Sequence, residues 1–262
     1  MAPDASDPGG DGAGPDLDLF GRASARHRDW SHRRQEPRGL ALMWTVYLML
    51  ATVVSLAPMV LAGQLSGSVY RPAARTMMVL VAFGVAVLWP VWRASQAPQR
   101  SAPVLDVARD LSVLVVPALV LLWPQVLLAG WPVGVVGAVS VTLVVWLFAS
   151  GAVLLWWHRF SDDGWKGRAA VAGFSVLLAG AVPLALLATG ALALGPPGPA
   201  VSEGWMWSPL TAVWEVLRDR GWSGAPAAVA SSHWGVLRIQ AIGVTAVAAL
   251  SVWCCRGRSR VG

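Results

Sequence analysis

Charge is scarce in this chain, and one kind of charged residue is almost missing. Asp, Glu, Lys and Arg make up 13% of the 262 residues, whereas hydrophobic residues make up 56%. Soluble domains carry roughly a quarter charged residues, so the composition indicates a membrane-embedded protein. Lys166 is the only lysine, and the residues around it do not form the phosphate loop G-x-x-x-x-G-K-[ST]. Any ATP that drives this protein must therefore be bound by another chain.

The residue types that most often carry catalysis or bind metals are also few. The two cysteines, Cys254 and Cys255, are adjacent, and neighbours in sequence rarely pair, so no disulfide framework is expected. The four histidines are scattered and give no metal-ligand spacing. A serine hydrolase within the membrane is the nearest enzyme pattern, but Ser150 and His158 are poorly placed to meet. The sequence predicts no catalytic residue, no metal site and no cofactor.

Long uncharged runs dominate what is present. A helix needs roughly 20 apolar residues to cross the hydrocarbon core of a bilayer. The uncharged run 111–157 would be about 70 Å long as one helix, so it must hold two spans, broken at Gly130, Trp131 and Pro132. We predict an all-α, polytopic membrane helix bundle in contact with lipid. Its six spans are 40–62, 77–92, 111–129, 132–157, 169–194 and 234–254.

The ends of the chain differ in charge. Residues 1–18 hold five aspartates and no basic residue, which predicts a disordered acidic tail. Residues 19–39 are basic with apolar residues at helical spacing, so they form either an amphipathic helix on an anionic membrane surface or a solvated basic tail. Residues 255–262 form a second basic tail.

The basic residues predict the orientation. Fifteen of the 20 Lys and Arg residues lie in the two tails and in the loops 93–110 and 158–168, and five lie on the other side of the predicted spans. By the positive-inside rule, both termini are cytoplasmic and the chain is a multi-pass protein of the cell membrane. Because the basic residues cluster beside the spans, they are topology signals and do not indicate nucleic-acid binding.

Polar groups inside the predicted spans are few. No Asp, Glu, Lys or Arg lies deep in any of them, which argues against a self-sufficient ion-coupled transporter. Small residues at four-residue spacing in the last two spans would let helices approach closely, within the chain or between two copies. These residues are Ala181, Ala185 and Thr189 in span five, and Ala241, Thr245 and Ala249 in span six.

The insert 195–237 between the last two spans holds a predicted amphipathic helix, 208–221. Ser208 suits its N-cap, Pro209 its first position and Gly221 the position just past its end. Its apolar stripe needs a surface to cover, while Glu215 and the following charges need water. We expect the helix to lie along the outer membrane face and cap spans five and six, as a lid or as a static plug. The stripe consists of Leu210, Val213, Trp214 and Leu217.

In this arrangement the chain resembles the membrane subunits of ABC-2-type transporters, a family of ABC exporter permeases. The shared features are the basic segment before span one, the six spans with both ends inside, the loop 93–110, and the long outer insert with its helix starting at Ser208-Pro209-Leu210. In that family the cytoplasmic loop between spans two and three looks like a coupling helix that docks on the ATPase. The matching residues here are Val104, Leu105, Asp106, Ala108, Arg109 and Asp110.

The resemblance implies a permease subunit of an ATP-driven exporter with no ATP site of its own. It implies a separate ABC ATPase and a second permease copy or homologue as partners, and it leaves the substrate undefined. The residues themselves leave another interpretation open, namely a non-transporting membrane scaffold or assembly factor.

Overall fold

The computed structural model describes residues 38–63, 66–96, 103–160, 165–188, 203–219 and 227–258. Throughout these ranges the chain consists of helices and short turns, with no strand. The predicted acidic tail, most of the predicted basic segment and the last four residues lie outside the described residues. The helices are α1 (Arg38–Leu61), α2 (Gly67–Phe83), α3 (Trp89–Ser95), α4 (Pro103–Leu122), α5 (Gln125–Leu128), α6 (Val133–Phe160), α7 (Trp165–Ala188), α8 (Pro209–Val216) and α9 (Ser231–Arg258).

Six helical stretches are long and apolar enough to cross a membrane, which confirms the predicted all-α architecture and number of spans. Two of them join helices across a short interruption: span 2 contains α2 and α3, and span 3 contains α4 and α5. Spans 1 to 6 are Arg38–Leu61, Val69–Ser95, Pro103–Leu128, Val133–Trp157, Lys166–Ala185 and Ser231–Cys254.

Spans 2 and 4 form the centre of the bundle. In their most apolar windows 61% and 67% of the residues are buried, against 17% to 28% in the other four spans. Span 1 packs on span 2, spans 3 and 6 pack on span 4, and span 5 packs mainly on α3. The peripheral spans therefore keep one broad apolar face for lipid, which is what a helix at the edge of a membrane bundle requires.

The turn between spans 3 and 4 forms where the sequence predicts it. Gly130 has a φ of 64°, a left-handed conformation that glycine adopts without steric cost, and the next helix starts just after Pro132. The structure adds an interruption before this turn, because the span bends at Trp123 and Pro124 before α5. The side chain of Arg71 closes the turn, since its Nε donates to the carbonyl of Ala129 at 2.8 Å.

A wider turn interrupts span 2 at its middle. Residues Gly84–Leu88 form a π-helical segment in which the Trp89 amide donates to the Gly84 carbonyl. Pro90 explains this local geometry, because a proline lacks the amide hydrogen and its ring clashes with the carbonyl four residues earlier. Gly84 is required for packing as well: a Cβ there would lie 2.5 Å from a ring carbon of Tyr47 and 2.6 Å from one of Trp44, both in span 1.

Span 2 is longer than the sequence predicts. Residues 64–76 and 93–110 were expected to be polar loops, but helix already begins at Gly67, continues to Ser95 and resumes at Pro103. The expectation rested on arginines and aspartates in these stretches, which the folded chain accommodates within helices through ion pairs. The longer spans therefore include charged residues toward their ends, among them Arg71, Arg75 and Arg93 in span 2 and Asp110 in span 3.

Candidate functional site: a short helix inserted between the spans

The α8 helix begins as its sequence predicts but ends earlier. Ser208 has extended backbone angles, φ −127° and ψ 144°, and Pro209 occupies the start of the helix. The helix ends at Val216, where the Leu217 and Arg218 amides donate to Val213 and Glu215 in a closing turn. The predicted end at Gly221 is therefore too late, and Gly221 itself lies outside the described residues.

The side chain of Ser208 does not cap α8. Its Oγ donates instead to the carbonyl of Ala179 in span 5 at 2.6 Å. Two residues earlier, the carbonyl of Met206 accepts a hydrogen bond from Nε2 of Gln240 in span 6 at 2.6 Å. Ala179 and Gln240 each lie nine residues from the helix end nearest to α8, which is about 13 Å along the axis. The chain before α8 thus enters the bundle instead of lying across its end.

The packing of α8 agrees with this inserted position. It contacts span 2 most and span 4 next, so the expectation of a cap over spans 5 and 6 is wrong about the main partners. Val213 and Leu217 are fully buried, as the apolar stripe predicts. Trp214 is 39% exposed, however, and the next residue, Glu215, is 1% exposed. The helix is buried on nearly all sides, which excludes the predicted arrangement with Glu215 in water.

Arginines of span 2 meet the end of α8. Nε of Arg75 donates to the carbonyl of Leu217 at 3.1 Å, so it covers a backbone acceptor that the helix end leaves unpaired. The same guanidinium lies 3.6 Å from the Asp219 carboxylate and 5.0 Å from the ring centre of Trp214. Arg71, one helical turn away, lies 4.0 Å from Asp219. These contacts combine ion pairing, backbone capping and a cation–π contact on two arginine side chains.

A second ion pair lies within the closing turn itself. Arg218 Nε is 3.2 Å from the Glu215 carboxylate, which is almost completely buried. A buried carboxylate is costly unless a positive charge compensates it, so this pair is what allows Glu215 to point into the bundle.

The sequence carried one signal for the site: Arg71 and Arg75 are four residues apart and share a helix face. Their partner, Asp219, lies more than 140 residues later in the chain. The spacing of the two arginines alone could therefore not predict the ion pairs.

The predicted coupling residues lie at the start of span 3, at the opposite end of span 2. Leu105, Ala108 and Arg109 are exposed, and Val104 and Asp106 are partly buried. Asp110 is 1% exposed and forms an ion pair with Arg93, while Nε1 of Trp89 donates to its carboxylate at 3.2 Å. Asp110, one of the six predicted coupling residues, is therefore not accessible to a partner protein. Of the six predicted coupling residues, Leu105, Ala108 and Arg109 are the exposed ones.

The small residues of spans 5 and 6 do not bring these helices together within the chain. Ala181, Ala185, Thr245 and Ala249 are exposed, and Ala241 is partly buried. Thr189 lies outside the described residues. Among the residues that the structure describes, the two spans have almost no direct contact with each other. Close packing through these residues therefore remains a prediction for the contact between two copies.

The fold defines the class of the chain: it is a multi-pass α-helical membrane protein. Comparisons with known protein families, characterised proteins and solved structures found no match. Within the described ranges no group of three or more His, Cys, Asp or Glu side chains could hold a metal ion. What the site can do follows from its geometry, which is a short helix held inside one end of the bundle by charges of span 2.

Proposed function

We propose that the chain is the membrane subunit of an ATP-driven exporter of the ABC-2 type, located in the cell membrane with both termini in the cytoplasm. The subunit has no catalytic role, and a separate ABC ATPase supplies the energy. A second copy of the chain or a homologue completes the pathway. The charge bias of the loops supports this orientation, which places α8 on the outer side.

The proposal rests on one observation: span 2 connects α8 to the opposite, cytoplasmic end of the bundle. Arg75 near the outer end of span 2 holds α8, and Arg93 near its other end holds Asp110 at the start of span 3. An ATPase docked on Leu105, Ala108 and Arg109 would act directly on this second contact. The π-helical segment between the two arginines gives span 2 a place to bend, and such segments are frequent at functional sites. Displacement of span 2 would then release α8.

A static role has an observation in its favour as well. Spans 2, 5 and 6 all bind α8 or the turn before it. Span 2 uses the Arg75 side chain, span 5 the Ala179 carbonyl that accepts from Ser208, and span 6 the Gln240 side chain. A helix held by three spans suits a fixed plug in a scaffold or assembly factor. The two functions differ in one requirement, because only the exporter needs an ATPase bound at the cytoplasmic face.

The test is co-purification of the full chain from its native membrane in mild detergent. We expect an ATPase with a phosphate loop to co-purify, and we expect the double variant Leu105→Asp with Arg109→Glu to lose most of it. Both positions are exposed, so the variant should fold, with unchanged gel-filtration behaviour and thermal stability. Glu203→Lys, an exposed charge reversal in the short helical turn before α8 and away from Leu105 and Arg109, is the control and should retain the ATPase. Absence of any ATPase with the unaltered chain would favour the scaffold.

A further inference from the structure

A large apolar groove separates spans 5 and 6. Its volume is about 1050 Å³, at the upper end of the range of about 300–1,000 Å³ typical of ligand sites, and spans 4, 5 and 6 form its walls. Phe174 of span 5 and Ile239 of span 6 stand at its rim and are 50% and 60% exposed. The groove is thus open sideways, between two helices that face lipid.

The dimensions of the groove match one leaflet of a bilayer. Its lining along span 5 runs from Gly167 to Leu178, a rise of about 16 Å, whereas a hydrocarbon core is about 30 Å thick. The walls are almost entirely hydrocarbon. The one amide among the lining residues is Gln240, whose Nε2 is bonded to the Met206 carbonyl. Its Oε1 and the indole nitrogen of Trp146 are buried without a hydrogen-bond partner, so few polar atoms of the lining are available to water. Water has few partners in such a groove, so an alkyl chain is the chemically matched occupant.

Positive charge lies at one end of this groove. Gly167 is part of the lining, and its two neighbours in sequence, Lys166 and Arg168, are both exposed at the start of α7. Basic residues at the level of the headgroups attract anionic lipids, while apolar walls above them accept the acyl chain. The basic end of the groove therefore matches the position of a phospholipid headgroup, and the apolar walls match the position of its acyl chain in the same leaflet.

We propose that the groove between spans 5 and 6 binds an anionic phospholipid, with one acyl chain along span 5 and the headgroup against Lys166 and Arg168. The lipid fills the space that α7 and α9 leave between them and so joins two spans that scarcely touch. The site lies beside the turn that precedes α8, because Trp207 and Gln240 both line it. It is separate from the ATPase surface, and it does not depend on the exporter function.

The experiment is native mass spectrometry of the purified full chain, titrated with phosphatidylglycerol or with phosphatidylcholine of the same acyl chains. We expect one phosphatidylglycerol to bind preferentially. The double variant Lys166→Gln with Arg168→Gln should bind it about 30-fold more weakly, as expected for two basic residues at a membrane surface. The affinity of this double variant for phosphatidylcholine should differ little from that of the unaltered chain.

A second variant tests the place of the acyl chain. Gly243→Phe would project a ring into the groove, and a Cβ at Gly243 meets no atom within 4 Å, so the backbone can accept it. We expect this variant to lose the bound lipid. Gly173→Phe is the matched control, because Gly173 is also open to the outside but does not line the groove. Circular dichroism and gel filtration check that both variants fold.

Three results would overturn the proposal. Equal binding of the two lipids would show that Lys166 and Arg168 do not recognise the headgroup. Full lipid binding by Gly243→Phe would show that the acyl chain does not lie in the groove. A dimer of the unaltered chain that Gly243→Phe converts to monomer would show that a second copy occupies the groove.

Discussion

At the scale of single residues, burial of charge is the feature that sequence patterns could not reveal. Glu215 and Asp110 look like solvated residues in their sequence contexts, yet each is 1% exposed because an arginine pairs with it. Arg218 is close in sequence to its partner, but Arg93 reaches Asp110 across a connection between two spans. Local patterns report which residues can face lipid or water. They do not report which charges will neutralise each other after the helices pack.

Val213 is fully buried and Trp214 is partly exposed, so the same substitution should have different effects on stability at these two neighbouring positions. Val213→Asp places an unpaired carboxylate where no surface is exposed, and we expect it to lower the free energy of unfolding by more than about 3 kcal/mol. Trp214→Asp should cost only about 1 kcal/mol, because Trp214 is partly exposed and the new carboxylate would face Arg75. Unfolding in mixed detergent micelles measures both. A larger loss for Trp214→Asp would show that α8 is rotated relative to this structure.

At the scale of elements, the apolar runs in the sequence predicted the number of spans correctly but not where each span begins and ends. Long apolar runs predicted six spans, and the Gly130 turn was placed correctly because glycine and proline act locally. Span 2 was predicted about ten residues short at its start, since Arg71 and Arg75 resemble loop residues when Asp219 is not seen beside them. The insertion of α8 was missed for the same reason: its helical pattern was visible, but its partners were not.

The contact of span 1 with the π-helical segment of span 2 gives a prediction for that element. Gly84→Ala forces the rings of Trp44 and Tyr47 to move, and Tyr47 is fixed by a 2.6 Å hydrogen bond to the Leu80 carbonyl. We expect a loss of about 1–3 kcal/mol in unfolding free energy, the usual cost of overpacking.

Gly137→Ala is the matched control for Gly84→Ala. A Cβ at Gly137 in span 4 has no neighbour within 4 Å, and alanine favours the helix, so stability should be unchanged or slightly higher. If both substitutions had the same effect, the close approach of span 1 to Gly84 would be wrong.

At the scale of the whole molecule, two sites lie at opposite ends of one central helix. Span 2 binds α8 through Arg75 and the start of span 3 through Arg93. In the proposed exporter the first site faces outward and the second faces the ATPase in the cytoplasm. This assignment comes from the fifteen-to-five distribution of basic residues, which is a property of the sequence. The proposed exporter function therefore depends on the orientation of the chain in the membrane.

Cysteine accessibility in intact cells tests that orientation most directly. The experiment uses a background with Cys254→Ser and Cys255→Ser, and introduces either Ala228→Cys or Ser95→Cys. Ala228 is exposed in the segment between α8 and span 6, and Ser95 is exposed where span 2 ends beside Arg93. A membrane-impermeant maleimide should label Ala228→Cys in intact cells and Ser95→Cys only after the cells are permeabilised. Labelling of Ser95→Cys but not of Ala228→Cys in intact cells would contradict the account, because α8 would then face the cytoplasm and no ATPase could reach Leu105 and Arg109.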